Sequence, residues 1–320
     1  MDFKESVSEG IKNPFLYPTI FHEDWWLNAA TNGEYRVAEV FKNGNVVGRL
    51  PYWPSRRFGL SWCKMPPITP FLGPAVDTGE IKSVARIETA RREITRSLIQ
   101  QLPSSHFLKV KCHRDVPDVI AFQEQKFRTG VQFSHEIHPT QEVELWNNLR
   151  GTRRQQISKA RSELEVMPIF DHECFISFYE QNLRERKAVN AIDNSALHRI
   201  IHESITRQNG QILIAKDSRN LIQAAIFCVS DSKSTYYLMS SRSMGAPHGV
   251  ISLLIWEAIK ISSNKNIIFD FAGVGTKGSI IVYSDFGGVT VPRYTATKVS
   301  LPVSFAYTIN EYCGNGEYFY

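Results

Sequence analysis

The sequence predicts an α/β (α+β) protein built as two units in tandem, and three observations carry that expectation. At 320 residues the chain is too long for one ordinary domain and comfortable for two. With 42% hydrophobic and 22% charged residues it has the material for a real core. Strand and helix patterns alternate along it, and three strand-like runs in succession (211–217, 221–230 and 234–241) read as an antiparallel meander.

In chain order, residues 21–30 (FHEDWWLNAA) read as a short helix anchored by Trp25 and Trp26. Residues 35–40 and 46–53 read as strands joined across Lys42-Asn43-Gly44-Asn45, because Asn and Gly both accept the positive φ of a tight hairpin turn. Residues 54–77 contain Pro66, Pro67, Pro70 and Pro74. Each proline removes a backbone donor and fixes φ, so neither helix nor central strand is expected there. That stretch either walls a substrate cleft or packs on the core through Trp62, Met65 and Phe71. A helix over 80–102, a strand over 106–111, a helix over 118–129 closed by Gly130 and a strand over 132–138 complete the first unit.

A boundary is expected near Pro139, dividing the chain into 1–138 and 139–295. Thr140 heads a helix, and the basic run 148–164 (Arg150, Arg153, Arg154, Lys159, Arg161) is either a solvated helix face or a phosphate-facing patch. A strand over 165–169 and helices over 170–187 and 195–208 follow, the second capped by Asp193 or Asn194. After the meander come a loop, an amphipathic helix over 250–261, a short strand ending at Asp270 and a glycine-rich loop.

Composition narrows the function. Five scattered cysteines with no C-x-x-C lack the usual zinc or thioredoxin signature and fit a reducing compartment. The first fifteen residues do not resemble a secretory signal, and no apolar stretch is long enough for a membrane span, so a cytoplasmic location is expected. A net charge of +5 suits phosphate-bearing ligands such as CoA or tRNA, or signifies nothing in an ordinary soluble enzyme; DNA is not an expected partner, and the charge does not specify an oligomeric state.

The chemistry concentrates in residues 234–294. Arg242-Ser-Met-Gly245-Ala246-Pro247-His248-Gly249 opens onto a helix, where unpaired N–H groups attract anions. Arg242 could pair with a phosphate, and Gly245 and Gly249 could let a ligand approach the backbone. Asp270, ending the next strand, is the first candidate to orient an amine or act as general base; the alternative is a carboxylate that accepts N–H bonds from the turn after it. Tyr236 and Tyr237 alternate on their strand, so one should face the cleft and could donate to a leaving thiolate; core packing is the alternative. Lys187 and Lys277 could contact a phosphate or carboxylate or could simply be solvated, and no residue set suggests a metal.

The order meander, loop, helix, strand resembles the GNAT acyltransferases. FHEDW at 21–25, GNVVGRLPY at 44–52, PPITPFLGP at 66–74, RQQISKA at 154–160, Gly245-Ala-Pro247, FDFAG at 269–273 and DFGG at 285–288 with Pro292-Arg-Tyr294 resemble the FemAB-like, BioF2-like branch of that superfamily. The resemblance implies two tandem GNAT-like domains, each a mixed, mainly antiparallel sheet flanked by helices, with 296–320 returning to the first. It implies transfer of an acyl or aminoacyl group from CoA or a charged tRNA to an amine of an amino sugar, peptide or small metabolite; the mild net charge puts acyl-CoA (or a similar activated donor) first as co-substrate, with no bound cofactor. Donor binding would fall to Arg242, Gly245, Ala246 and Gly249, and Tyr294 would be a cleft-wall residue. Pro247 departs from the superfamily's phosphate-loop pattern, since a small residue is usual there. Two alternatives stand beside this reading: an aminoacyl-tRNA-dependent peptide-bond-forming transferase of the kind that serves cell-wall or polysaccharide biosynthesis, and an inactive GNAT-fold binding protein.

Overall fold

A computed structural model describes residues 13–57, 59–190, 192–273 and 277–300, with the side chains of Arg57 and Lys277 outside the description. A 3-10 turn and α1 (Asp24–Thr31) lead into the hairpin β1 (Arg36–Lys42) and β2 (Asn45–Arg57). Its turn residues Asn43 and Gly44 both have positive φ, 53° and 80°, as the sequence predicts. The expectation that residues 54–77 hold no central strand is corrected. β2 continues through Pro54, and β3 (Leu60–Lys64) pairs with it. Proline is tolerated there because β1 reaches only to Tyr52, leaving that part of β2 with β3 as its one lateral partner.

The short β4 (Ala75–Val76), α2 (Val84–Gln100), β5 (Phe107–Lys111) and α3 (Ile120–Glu124) follow. The helix expected over 118–129 ends early, and β6 (Arg128–Ile137) runs straight through Gly130. A Cβ at Gly130 would lie 3.1 Å from Thr295 Oγ1, so this glycine serves a close cross-strand approach and not a helix stop.

The remaining elements are α4 (Glu142–Asn148), α5 (Gly151–Glu163), β7 (Glu165–Ile169), α6 (His172–Glu185) and α7 (Asn194–Thr206). Then come β8 (Gly210–Lys216), β9 (Ile222–Ser230), β10 (Ser234–Arg242), α8 (Val250–Asn264), β11 (Ile268–Asp270), α9 (Lys277–Ser284) and β12 (Val289–Val299). Asp193 caps α7 by accepting from the N–H groups of Ser195 and Ala196. The meander β8–β9–β10 is antiparallel throughout, as its turn signals imply.

One sheet runs through the molecule in the order β1-β2-β3-β5-β12-β6-β11-β10-β9-β8-β7, with β4 paired to β2. Its pairs are antiparallel except β3–β5 and β10–β11. β12 lies between β5 and β6, so the returning strand begins at Val289, earlier than expected. The central strands are buried on both faces. On β9, Ala224, Ile226 and Cys228 pack toward α8, while Ala225, Phe227 and Val229 pack toward α6, α7 and α1. A second core lies under α2 and α3, with Leu98, Ile99, Val110, Phe122 and Ala296. Among the described residues no helix is long and apolar enough to cross a membrane.

Candidate active site

The site is created by a strand pair that parts. β10 and β11 are in register only from Ser234–Ile268 to Tyr236–Asp270. Then Phe271 donates its N–H to His135 O (3.0 Å) and β11 turns away, while β10 runs on to Arg242. Past Tyr236 no strand among the described residues covers that flank of β10. A bulge at Leu238 disturbs the β9 side, where Tyr237 faces Cys228 but Met239 already faces Phe227.

The gap opens into a cavity of about 420 Å³. β10 contributes Tyr237, Leu238 and Met239, the segment after β11 contributes Phe271, Ala272 and Gly273, and Met65, Pro66, Ile68, Thr69 and Pro70 form the wall from the proline-rich loop. That loop lines this cavity and also packs on the core, since Phe71 at its end is buried. It is also tied down. Trp26 Nε1 donates to Thr69 Oγ1 (2.9 Å), and Leu72 N donates to Lys111 O (2.7 Å). Gly73 (φ +96°) lies so close to Cys112 that a Cβ would be 3.1 Å from its Cα. Ile68 (φ 52°) and Ala272 (φ 57°) hold left-handed conformations that do not suit their side chains, and both line this cavity. Each costs roughly 1–2 kcal/mol, and strain of this kind gathers at ligand sites.

The two candidate tyrosines separate as strand alternation requires. Tyr236 packs on Phe21 (centroids 4.8 Å apart) in the α1-side core. Tyr237 lines the cavity, and burial, followed by the neighbouring Tyr283 hydroxyl, pushes its phenol well above the usual range. Tyr283, on α9, is a site residue that sequence reasoning missed. It stacks on Phe271 (4.1 Å), stands 6.3 Å from the Tyr237 ring and lines the same cavity. The sequence there suggests a glycine-rich loop; the signal for a helix is the apolar run Ile280-Ile281-Val282-Tyr283 within it.

Asp270 is fully buried and engaged by four groups. Its carboxylate accepts from Ser134 Oγ (2.5 Å), Ala272 N (2.8 Å), Arg293 (3.1 Å) and Arg114 (3.4 Å). Glu136 pairs with the same two arginines, at 3.0 Å to Arg114 and in direct contact with Arg293. Two carboxylates and two guanidinium groups therefore balance where β6, β11 and β12 meet. This matches the turn-holding alternative for Asp270, and the carboxylate is not among the cavity-lining residues. Asp270 is not positioned to take a proton from an amine there.

The expected donor loop has its own geometry. Arg242 is exposed, and its carbonyl accepts from Arg186 (2.6 Å). Gly245 (φ +81°) faces open space, and Ala246 packs against the core under α8. Gly249 caps α8 at φ +89°, but what comes close to it is protein: a Cβ would lie 2.7 Å from Gln156 O on α5. Arg153, also on α5, donates to Ser252 Oγ in the first turn of α8 (2.6 Å) and to Asp285 (3.1 Å). The basic run is thus divided: Arg153 is buried and committed to the protein, while Arg150, Lys159 and Arg161 are exposed. Arg150 also pairs with Asp285 and Arg161 with Glu257, while Arg154 donates to the carbonyls of Trp146 and Asn147.

Lys187 is exposed at the end of α6, in a left-handed conformation (φ 52°). Lys277 begins α9, but its side chain and residues 274–276 lie outside the described residues. Tyr294 packs against the core under α2 and α3, and it is not among the residues lining the cavity.

No protein-family model and no curated protein sequence matches the chain. Solved structures do. FemX superposes with a TM-score of 0.64 at 11% identity, covering 92% of this chain and 96% of FemX. The C-terminal domain of a candidate lysylphosphatidylglycerol synthetase from Agrobacterium fabrum gives 0.60 at 13% identity, covering 92% and 94%. L-PGS from Bacillus licheniformis gives 0.54 at 11% identity, covering 93% and 94%. The chain therefore shares the fold of FemX and of these two proteins over more than nine tenths of its length.

Proposed function

We propose that this protein is an acyltransferase that joins an activated acyl group to an amine in the gap between β10 and β11. The observation that carries this reading is the uncovered flank of β10 beyond Tyr236, beside the bulge at Leu238. N–H groups of an extended strand point sideways, so a flank without a partner strand offers donors to a carbonyl oxygen as it gains negative charge. The amine attacks the carbonyl carbon, a C–N bond forms, the C–S or C–O bond to the carrier breaks, and the amine proton passes to the departing group. Tyr237, held neutral by burial, and Tyr283 are the hydroxyls beside that path.

Composition favours acyl-CoA as the donor, but the surroundings of α8 favour an aminoacyl ester on tRNA. Pro247 lacks an N–H, α5 fills one side of Gly249, and Arg153 occupies Ser252. These features work against seating a pyrophosphate at the start of α8. Arg186, Lys187 and Arg242 instead form an exposed basic group at the end of β10. The name of the Agrobacterium fabrum neighbour describes an aminoacylated product, in keeping with that donor.

The test is filter retention of labelled tRNA across a salt series, run beside thermal shift with acetyl-CoA. Retention at low salt is expected, with a log–log salt slope that becomes shallower by about 2 in the Lys187→Ala/Arg242→Ala variant. Stabilisation by acetyl-CoA without tRNA retention would reverse the choice of donor. Absence of transfer to any amine from either donor would overturn the acyltransferase reading.

A further inference from the structure

The bulge at Leu238 also decides what the cavity is lined with. Strand alternation sends Tyr236 to the α1-side core and Tyr237 to the α8-side core. With the extra residue in place, Leu238 and Met239 both turn to the α1 side, where Met239 belongs to the core and Leu238 packs against it. Met65 and Ile68 from the proline-rich loop and Ile192 before α7 pack against the same core, and all five side chains line the cavity. Thr69 beside them has its hydroxyl committed to the protein, accepting from Trp26 Nε1 and donating to Pro67 O. Tyr237, Phe271 and Tyr283 are grouped instead with the α8-side core. An aliphatic lobe therefore lies on one side of the β10 flank and the tyrosines lie on the other. Among the described residues no carboxylate lines the cavity.

We propose that this lobe seats the transferred acyl group, so that the donor carries an uncharged, apolar chain. This rests on the acyl-transfer reading of the same cavity. A carbonyl whose oxygen is held along β10 beyond Tyr236 has two substituents, its chain and its carrier. The carrier takes up the proton that the amine gives away, so carrier and amine belong on the side of the tyrosines, and the chain is left to the lobe. There a hydrocarbon chain leaves water at no polar cost, and each added CH2 tightens binding about fourfold. A charged chain of either sign would exchange water for aliphatic side chains. The cavity, about 420 Å³, is of ordinary size for a small-ligand site, which suits a branched or medium-length chain.

The experiment measures equilibrium binding of two donor series. One tRNA is charged in turn with leucine, alanine, lysine and glutamate and followed by filter retention. Hexanoyl-CoA, acetyl-CoA and succinyl-CoA are followed by calorimetry. Whichever series binds identifies the carrier, and within it the apolar donor is expected to bind about tenfold or more tighter than the small one, with charged donors no tighter than the small one. Leu238→Ser and Met65→Gln should each cut that preference several-fold, whereas Met65→Leu should keep it. Melting curves of the variants separate a lost lobe from a lost fold. Equal affinity for large and small apolar groups, tighter binding of a charged donor, a preference unchanged in both polar variants, or no binding in either series would overturn the proposal. A transfer assay with the same donors distinguishes the two failures. Transfer without any apolar preference removes the lobe and leaves the reaction. An apolar preference without transfer to any amine removes the reaction and leaves the lobe.

Discussion

Replacing Asp270 by asparagine keeps the shape of the side chain and deletes one charge from the buried group of Asp270, Glu136, Arg114 and Arg293. Three of these side chains are no more than 6% exposed and Arg114 is 17% exposed, so solvent screens them poorly. Removing one charge leaves a net positive charge in a site that was balanced. Breaking a buried ion pair costs about 3–5 kcal/mol, which in a protein of this size lowers the melting temperature by roughly 4–7 °C. Urea unfolding followed by circular dichroism is the assay. The informative comparison is the double variant Asp270→Asn/Arg114→Met, which restores neutrality and should recover about 2 kcal/mol relative to the sum of the singles. A single variant within about 0.5 kcal/mol of wild type, or a cycle that is additive within about 0.5 kcal/mol, would refute the argument. Loss of turnover at unchanged stability would return Asp270 to the chemistry.

Gly249→Ala combines a left-handed φ with a Cβ 2.7 Å from Gln156 O and should destabilise by about 2 kcal/mol or more; Gly245→Ala, in open space, should lose only about 1 kcal/mol, so equal effects in urea unfolding would count against the α5 contact. His22 and His113 are buried and neutral; each can donate from Nε2 to a carbonyl, of Gly73 and of Pro74 respectively. Burial depresses both, His113 to about 4 and His22 well below its ordinary value, whereas the unfolded chain takes up these protons near pH 6.5. Their contribution is thus complete above about pH 6.5 and lost as pH falls toward 4, about 3 kcal/mol for His113, and His113→Gln should flatten the stability–pH curve across that window. Tyr283→Phe should lower kcat about 10²-fold with little change in melting temperature, and an unchanged kcat would remove that hydroxyl from the path.

Features written in contiguous residues were legible. The Asn43-Gly44 turn, the Asp193 cap, the meander and α8 all declare themselves within a dozen residues, and each stands where local rules put it. Three kinds of feature did not show. Pro54 sits in a strand because that part of β2 has one lateral partner, a fact of tertiary context. The helix α9 is short and preceded by glycines, which hid it and with it Tyr283. The charge cluster draws Arg114, Glu136, Asp270 and Arg293 from four separate segments, so no window of sequence contains it. The glycine at 249 was legible as special but not for what: its neighbour is a helix carbonyl from far upstream.

The interleaving of α1 and β12 bears on how the chain acquires its structure. α1 buries Trp26 and Leu27 against Leu197, Ile200 and Ile201 of α7, while β12 inserts between β5 and β6, about half the chain upstream. Neither end can settle until the other half exists. During synthesis the β5 and β6 edges wait, unpaired, until residues 289–299 leave the ribosome. Contacts this distant in sequence slow the search for the native state, so productive folding is a late event for the whole chain. A fragment ending before Val289 should expose two open strand edges and aggregate.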